Sequence, residues 1–365
     1  MKVALVHDYL KEFGGAEAVL EALSDIFPDA PIYTSLYCPS HFGPHQSRLE
    51  KKWQRRVHQS FFSYIPFAKK LISPLRLLSP FAFASFDFSS YDLIISSATG
   101  AYFPNALRKK NAKLYCYCHT PPRYLYGLAT ARNLKKYPLI NALAQFANHF
   151  LRYFDYLFSK NVDQYIANSS TTAARIKKFY RRDALVINPP VSVPKTLKKV
   201  AKKDFYLIGG RLAHAKRYDI PILACKKLNL PLKVFGRDFA NVESYLKSLA
   251  GPKTEFLGEI TNQEKEKLFA QAKGYIFSSD NEDFGIVLVE SLAHGTPVLA
   301  YRSGGATETL LEGKTGLFFD DLTPESCVAA LKIFEKSTFS PKDCYNQASK
   351  FSYQSFESKI KKIAS

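Results

Sequence analysis

The chain has 365 residues, 46% of them hydrophobic and 23% charged, which suits two domains with packed cores and excludes wholesale disorder. Its formal net charge of +19 is concentrated in residues 51–200, which hold 25 Lys and Arg against 5 Asp and Glu. Such a local excess suits nucleic acid, an anionic membrane face or an acidic lipid-linked substrate.

In chain order, KVALVHDY (2–9) reads as a buried parallel strand. Gly14 and Gly15 form a loop, and AEAVLEALSDIF (16–27) has helical spacing up to Pro28. APIYTSLY (30–37), YDLIISSA (91–98), AKLYCYCH (112–119) and VDQYIANSS (162–170) read as further strands, and residues 129–161 as long helical material. The Pro- and Lys-rich stretch around 191–203 is the expected linker. Beyond it, DFYLIGGR (204–211), LKVFGRD (232–238), TEFLGEI (254–260), GYIFSSD (274–280) and TPVLAYR (296–302) alternate with the helical segments 218–228, 239–250, 262–272 and 285–295. The expectation is an α/β chain with Rossmann-like domains at 1–190 and 204–340. A C-terminal helix at 341–365 would return to the first domain, and a ligand cleft would lie between the domains.

Residues 41–90 mix eight Lys and Arg with ten aromatics: Phe42, Trp53, Phe61, Phe62, Tyr64, Phe67, Phe81, Phe83, Phe86 and Phe88. Lys51, Lys52, Arg55 and Arg56 surround Trp53, and Lys69, Lys70 and Arg76 stud the apolar run that follows. Rings beside cations favour the headgroup region of an anionic bilayer; the competing reading is core packing with a solvated basic side. No helix-turn-helix, zinc finger or RNP-type strand supports nucleic acid as a partner. No apolar run is long enough to span a bilayer, and the N-terminus turns polar too early for a signal peptide. Six scattered cysteines make neither a disulfide framework nor a paired CxxC zinc site, so the expected location is the cytoplasm, peripheral to the inner face of the plasma membrane.

In SSDNEDFGIVLVESLAHGTPVLAYRSGGATE, Glu282 and Glu290 lie eight residues apart around FGIVLVE, a run that can open a helix. A helix start offers free N–H groups and the positive end of a dipole to a phosphate, and carboxylates accept hydrogen bonds from vicinal hydroxyls. Glu282 is expected in the loop before that start and Glu290 about two turns into the helix. This string resembles the E-x7-E region of glycosyltransferase family 4, the retaining family with the GT-B fold. The resemblance covers most of the chain: Gly14-Gly15-Ala16-Glu17 after the first strand, His119 after the fourth, Gly210-Arg211 with Lys216 opening the second domain, then the C-terminal string. CHTPPR (118–123) further resembles the bacterial O-antigen mannosyltransferase subgroup.

The resemblance implies a catalytic set of His119, Arg211, Lys216 and Glu282. His119 would face the donor sugar, Arg211 and Lys216 would neutralise the leaving diphosphate, and Glu282 would bind sugar hydroxyls. Donor binding would also involve Gly15, Gly236, Ile260, Phe284, Gly285, Ile286 and Val287, with Glu290 on the ribose. Gly14 and Arg123 would lie on the acceptor side. The implied reaction moves a hexose, with mannose from GDP-mannose foremost and UDP-sugars as alternatives, to a lipid-linked glycan acceptor in cell-surface polysaccharide synthesis. It needs neither a cofactor nor a metal. The reading from another class is a non-catalytic protein binding nucleic acid or membrane through its basic surface.

Overall fold

In the computed structural model, residues 1–128, 138–239 and 241–364 are described. They form two compact units, one of residues 1–128, 138–190 and 356–364, the other of residues 191–239 and 241–355.

The first unit is built on a parallel sheet of seven strands, in the order β3-β2-β1-β4-β5-β6-β7. These are β1 Val3–His7, β2 Ile32–Thr34, β3 Val57–Gln59, β4 Leu93–Ala98, β5 Lys113–Cys118, β6 Gln164–Ala167 and β7 Ala184–Val186. β4 is buried along its whole length, as parallel strands covered on both faces are. Helix α1 (Gly15–Ile26) follows β1, with its first turn capped from within: the Glu17 carboxylate accepts the Gly14 amide at 2.9 Å. Helix α2 (Pro138–Ser159) precedes β6, and helix α3 (Ser170–Tyr180) is N-capped by Ser169, whose hydroxyl accepts the Thr172 amide. Strand order reverses between β1 and β4, so the loops after these strands frame the position where a doubly wound sheet takes its ligand. Register places His7 opposite Ser97 across that junction.

The second unit has six parallel strands in the order β10-β9-β8-β11-β12-β13. They are β8 Tyr206–Gly209, β9 Leu232–Phe235, β10 Thr254–Gly258, β11 Gly274–Phe277, β12 Val298–Tyr301 and β13 Gly316–Phe319. The reversal falls between β8 and β11. Helix α4 (Asn262–Gln271) carries a capping box between Thr261 and Glu264, and helix α5 (Ile286–Ala293) follows β11. Two buried clusters cover the sheet, one around Leu207, Phe269 and Leu288 and one around Ile208, Ile222 and Leu331.

The α/β class and the two Rossmann-like sheets match the sequence expectation. Three short strands were not anticipated: β3, β7 and β13. β3 is three residues long and largely exposed, so its hydrophobic signal is weak; it makes β5, not a fourth strand, the one that ends at His119. The expected single C-terminal helix is two, Pro341–Ser349 and α6 (Tyr353–Ala364). Between them the Phe351 carbonyl accepts the Val191 amide at 2.8 Å and the backbone leaves helical geometry. Within the first unit, Phe356 of α6 packs edge-on against Tyr117 of β5, with ring centroids 5.9 Å apart.

The basic aromatic stretch divides in two. Trp53, Phe42, Phe62, Phe83 and Phe88 are buried core, and the Trp53 indole N–H donates to Ser24 Oγ at 3.1 Å. Arg56 donates to the carbonyls of Ala30 and Phe27, and Lys52 pairs with Glu21 and Asp25, so both brace the end of α1. Phe61, Tyr64, Phe67, Leu77 and Phe81 are exposed beside exposed Lys69 and Lys70. The two readings of this stretch therefore each hold for part of it: Trp53, Phe62, Lys52 and Arg56 serve packing, while the exposed rings lie between residues 61 and 81. Both halves mix rings with cations, but the first meets α1, where Glu21 and Asp25 pair with Lys52 and the Phe27 carbonyl at the helix end accepts from Arg56.

Candidate functional site

In the second unit, Gly209 and Gly210 end β8 where β9 crowds in. A Cβ on Gly209 would meet the Phe235 ring at 2.4 Å, and one on Gly236 would lie 1.7 Å from the Gly210 carbonyl oxygen. Gly210 and Gly236 have φ of +125° and +133°, conformations open to glycine, so Gly236 serves a backbone approach. The buried hydroxyls of Tyr218 and Tyr275 both donate to the Gly209 carbonyl at 2.8 Å and hold the turn in place. Arg211 leaves this turn exposed, its guanidinium 4.9 Å from the Phe239 ring centroid.

The loop after β11 meets the short 3₁₀ turn His214–Lys216. The Asp280 amide donates to the Ala215 carbonyl, and Ser278 Oγ lies 2.9 Å from the carbonyl oxygens of Lys216 and Arg217. This contact brings the Lys216 ammonium onto the Glu282 carboxylate, which also accepts from Ser279 Oγ at 2.6 Å. Glu282 stands three residues before Gly285, the N-cap of α5, whose φ is +88°. Phe284 is buried and packs edge-on against Phe351 at 5.4 Å, fixing the entry into the helix. Ile286 and Val287 are the first helical residues and are half-buried.

Glu290 falls little more than one turn into α5, because the helix starts at Ile286; the expected two turns are corrected. Its carboxylate accepts from Lys265 of α4 at 2.8 Å. Ile260 is half-buried against the apolar cluster behind α5. The second unit thus brings Lys216 and Glu282 into direct contact and sets Glu290 in a separate ion pair with Lys265.

Sequence reading passed over Gly304 and Gly305. A Cβ on Gly304 (φ +56°) would lie 2.2 Å from the Glu282 carbonyl oxygen, one on Gly305 would lie 2.3 Å from Phe284 Cα, and the Gly305 amide donates to the Glu282 carbonyl at 2.9 Å. The strap 304–305 therefore presses on the Glu282 loop. The glycine pair in YRSGGATE was the available signal.

In the first unit, Gly14 caps α1, Gly15 opens it, and both are exposed. His119 follows β5, its amide donating to Ala98 and its carbonyl accepting from Asn168 Nδ2 at 2.9 Å. Its ring Nε2 lies 2.9 Å from Ser97 Oγ. Burial, with a smaller effect from His7, pushes the His119 imidazole down to about 3, so the ring is neutral near pH 7. Arg123 lies half-buried in the turn after β5, where the Leu128 amide donates to its carbonyl.

Asp8, which sequence reading did not single out, is fully buried after β1. It accepts from the Thr99 hydroxyl at 2.6 Å and from the Ala101 and Tyr102 amides at 3.0 Å each, fixing the loop after β4. Burial outweighs these bonds and raises its carboxyl above the usual range.

Two family models together match residues 13–351. Residues 13–193 match the model described as glycosyltransferase family 4, and residues 193–351 match glycosyl transferases group 1. An alpha-1,3/1,6-mannosyltransferase of Eremothecium gossypii is 30% identical over 163 residues, 42% of this chain and 31% of that protein. The alpha-1,3/1,6-mannosyltransferase of Schizosaccharomyces pombe is 24% identical over 280 residues, 63% of this chain and 52% of that one. The chain thus spans at most about half the length of the curated relatives it matches. Among solved structures, Anabaena HepE in complex with UDP and glucose superimposes with a TM-score of 0.72 at 17% identity, over 100% of this chain and 99% of that one. Both parallel-sheet domains follow the GT-B pattern.

Proposed function

The chain belongs to glycosyltransferase family 4, and from that premise we propose that it transfers a hexose, with retention at the anomeric carbon, from a nucleotide diphosphate sugar to an acceptor hydroxyl. The observation that carries this reading is the Lys216–Glu282 pair, held three residues ahead of the α5 N-cap. A departing nucleoside diphosphate gains negative charge, and a preorganised ammonium, the Arg211 guanidinium and helix-start amides stabilise that charge. Glu282, drawn off Lys216 as phosphate takes its place, accepts from sugar hydroxyls, and Glu290 serves the ribose. The incoming hydroxyl attacks on the face the leaving group vacates and gives its proton to the departing β-phosphate. On this reading the chain supplies orientation and fixed charge, without a protein nucleophile or a metal.

The donor we propose is GDP-mannose, in line with the CHTPPR segment and with the mannosyltransferases among the partial relatives. The acceptor we propose is a lipid-linked glycan, taken up on the cytoplasmic face of an anionic membrane, with Gly14 and Arg123 on the acceptor side. The support is surface chemistry: the exposed rings of segment 61–81 beside Lys69 and Lys70, and a second exposed row on α2. Phe146, Phe150, Tyr153, Phe154 and Leu157 follow helical spacing along one side of α2. Among the described residues no helix is long and apolar enough to cross a membrane.

The test is a transfer assay on the full chain with GDP-mannose or common UDP-sugars, polyprenyl-diphosphate-linked saccharide acceptors, and a chelator in a parallel arm. Mannosyl product of retained anomeric configuration, formed equally with chelator, is expected. Inverted product, absolute dependence on added divalent metal, or transfer from UDP-sugars alone would each contradict the corresponding part of the proposal.

A further inference from the structure

A row of polar side chains runs through the first unit from α1 to His119. Glu17 Oε1 lies 3.6 Å from His7 Nε2, His7 Nδ1 lies 3.1 Å from Ser97 Oγ, and Ser97 Oγ lies 2.9 Å from His119 Nε2. His7 and Ser97 are fully buried and Glu17 is nearly so, while His119 is half-buried. The register of β1 against β4 puts His7 and Ser97 side by side, and β5 delivers His119 next to them. The buried His7 Nε2 has no hydrogen-bond acceptor within range, so the Glu17 carboxylate is its nearest ionic neighbour.

A neutral imidazole carries one N–H, and the group facing each nitrogen decides which one. A carboxylate 3.6 Å from a buried ring nitrogen attracts a proton there and repels a bare lone pair. With its proton on Nε2, His7 presents Nδ1 as an acceptor, and the Ser97 hydroxyl donates to it. The Ser97 oxygen then offers only lone pairs to its other neighbour, so His119 donates from Nε2 and keeps Nδ1 bare. We propose that Glu17 sets the tautomer of His119 through His7 and Ser97, holding the His119 proton on Nε2 and presenting Nδ1 as an acceptor to a substrate hydroxyl. Glu17, His7 and Ser97 are then positioning residues. The inference rests on the proposed role of His119 only for its effect on transfer; the tautomer itself does not.

The test is long-range ¹H–¹⁵N correlation spectroscopy on the full chain labelled with ¹⁵N-histidine, without donor, at a pH where the His119 ring is neutral. The His119 signal is assigned by its loss in His119→Gln. The expected wild-type spectrum has His119 protonated on Nε2. Glu17→Gln keeps the shape and the acceptor for the Gly14 amide but can donate to His7 Nε2, which reverses the row and moves the His119 proton toward Nδ1. Ser97→Ala cuts the row and mixes the two tautomers, and Ser97→Thr restores the wild-type pattern. In transfer, Glu17→Gln lowers kcat about tenfold or more with little change in the donor KM. A His119 proton on Nδ1 in the wild type, or an unmoved tautomer in folded Glu17→Gln and Ser97→Ala proteins, overturns the proposal. A moved tautomer with unchanged transfer supports the row and counts against the catalytic reading of His119 instead.

Discussion

The Lys216 ammonium rests on the Glu282 carboxylate, joining residues 66 positions apart in the chain. Neither side chain is deeply buried, with exposures of 24% and 22%, so the pair is worth no more than about 1 kcal/mol to folding. Its importance is positional. It places a cation and a hydroxyl acceptor at one point, beside the start of α5, at the strand-order reversal of the second sheet.

Truncating that cation should separate stability from activity. Lys216→Ala is expected to shift the unfolding free energy by less than ~1 kcal/mol and to lower turnover by roughly 10²–10³. Arg211→Ala should show a similar loss of turnover. Glu282→Gln should reduce transfer more than nucleotide binding. Steady-state rates beside nucleotide titrations check all three; a loss under twofold at Lys216 and Arg211 would reject their diphosphate role.

Gly304→Ala should disturb the same loop from behind. The position has φ +56° and a Cβ there would meet the Glu282 carbonyl oxygen at 2.2 Å, so the strap or the loop must move. The expected cost is about 1–3 kcal/mol, with donor affinity weakened as Glu282 shifts. Chemical unfolding and donor titration of the variant measure both; wild-type values for both would show that the strap does not constrain Glu282.

Asp155 of α2 sits buried, accepting from the Tyr126 hydroxyl at 2.7 Å and the Tyr180 hydroxyl at 3.3 Å, and burial pushes its carboxyl up to about 7. Because the folded value lies above the unfolded one, the native state binds the extra proton between them. Stability from this group is therefore complete below about pH 4 and declines as pH rises toward 7, by an amount on the order of a few kcal/mol. Asp155→Asn mimics the protonated form. Urea unfolding at pH 5 and pH 8 should show a smaller pH-dependent loss in the variant than in the wild type; equal losses would show that Asp155 ionises normally.

The two halves of the basic aromatic stretch should respond differently. Replacing Phe67, Phe81, Lys69 and Lys70 by Ser is expected to weaken sedimentation with anionic vesicles while leaving stability near wild type. Replacing Lys52 and Arg56 is expected to lower stability, because both brace α1. Unchanged vesicle binding by the first variant would remove segment 61–81 from any membrane contact.

The sheets were legible because their central strands are short buried apolar runs separated by helical spacing, as in VALVH and LIISSA. β3 escaped notice because VHQ is short and mostly exposed. Where a motif surrounds a candidate residue it could be singled out, and two residues so chosen, Lys216 and Glu282, meet in the fold. Supporting residues could not be singled out: Asp8 anchors its loop through backbone amides that follow β4, and Glu17 reaches His7 only once α1 has docked on the sheet. The place of Trp53 was left open between core and membrane face, because aromatic and basic residues compose a buried brace and an exposed face equally well; the Ser24 hydroxyl and the acidic partners of Lys52 on α1 decide it. Segment 129–137 of the expected helix lies outside the described residues.

Thermal unfolding of the wild type and of Lys216→Ala across a panel of GDP-mannose and UDP-sugars tests the central claim most directly. A ligand at 100 times its dissociation constant adds ~2.7 kcal/mol of stability. GDP-mannose should raise the wild-type midpoint clearly and raise that of Lys216→Ala much less. A panel in which no sugar nucleotide moves the wild-type midpoint, or one that moves both proteins equally, would contradict a donor site built on Lys216.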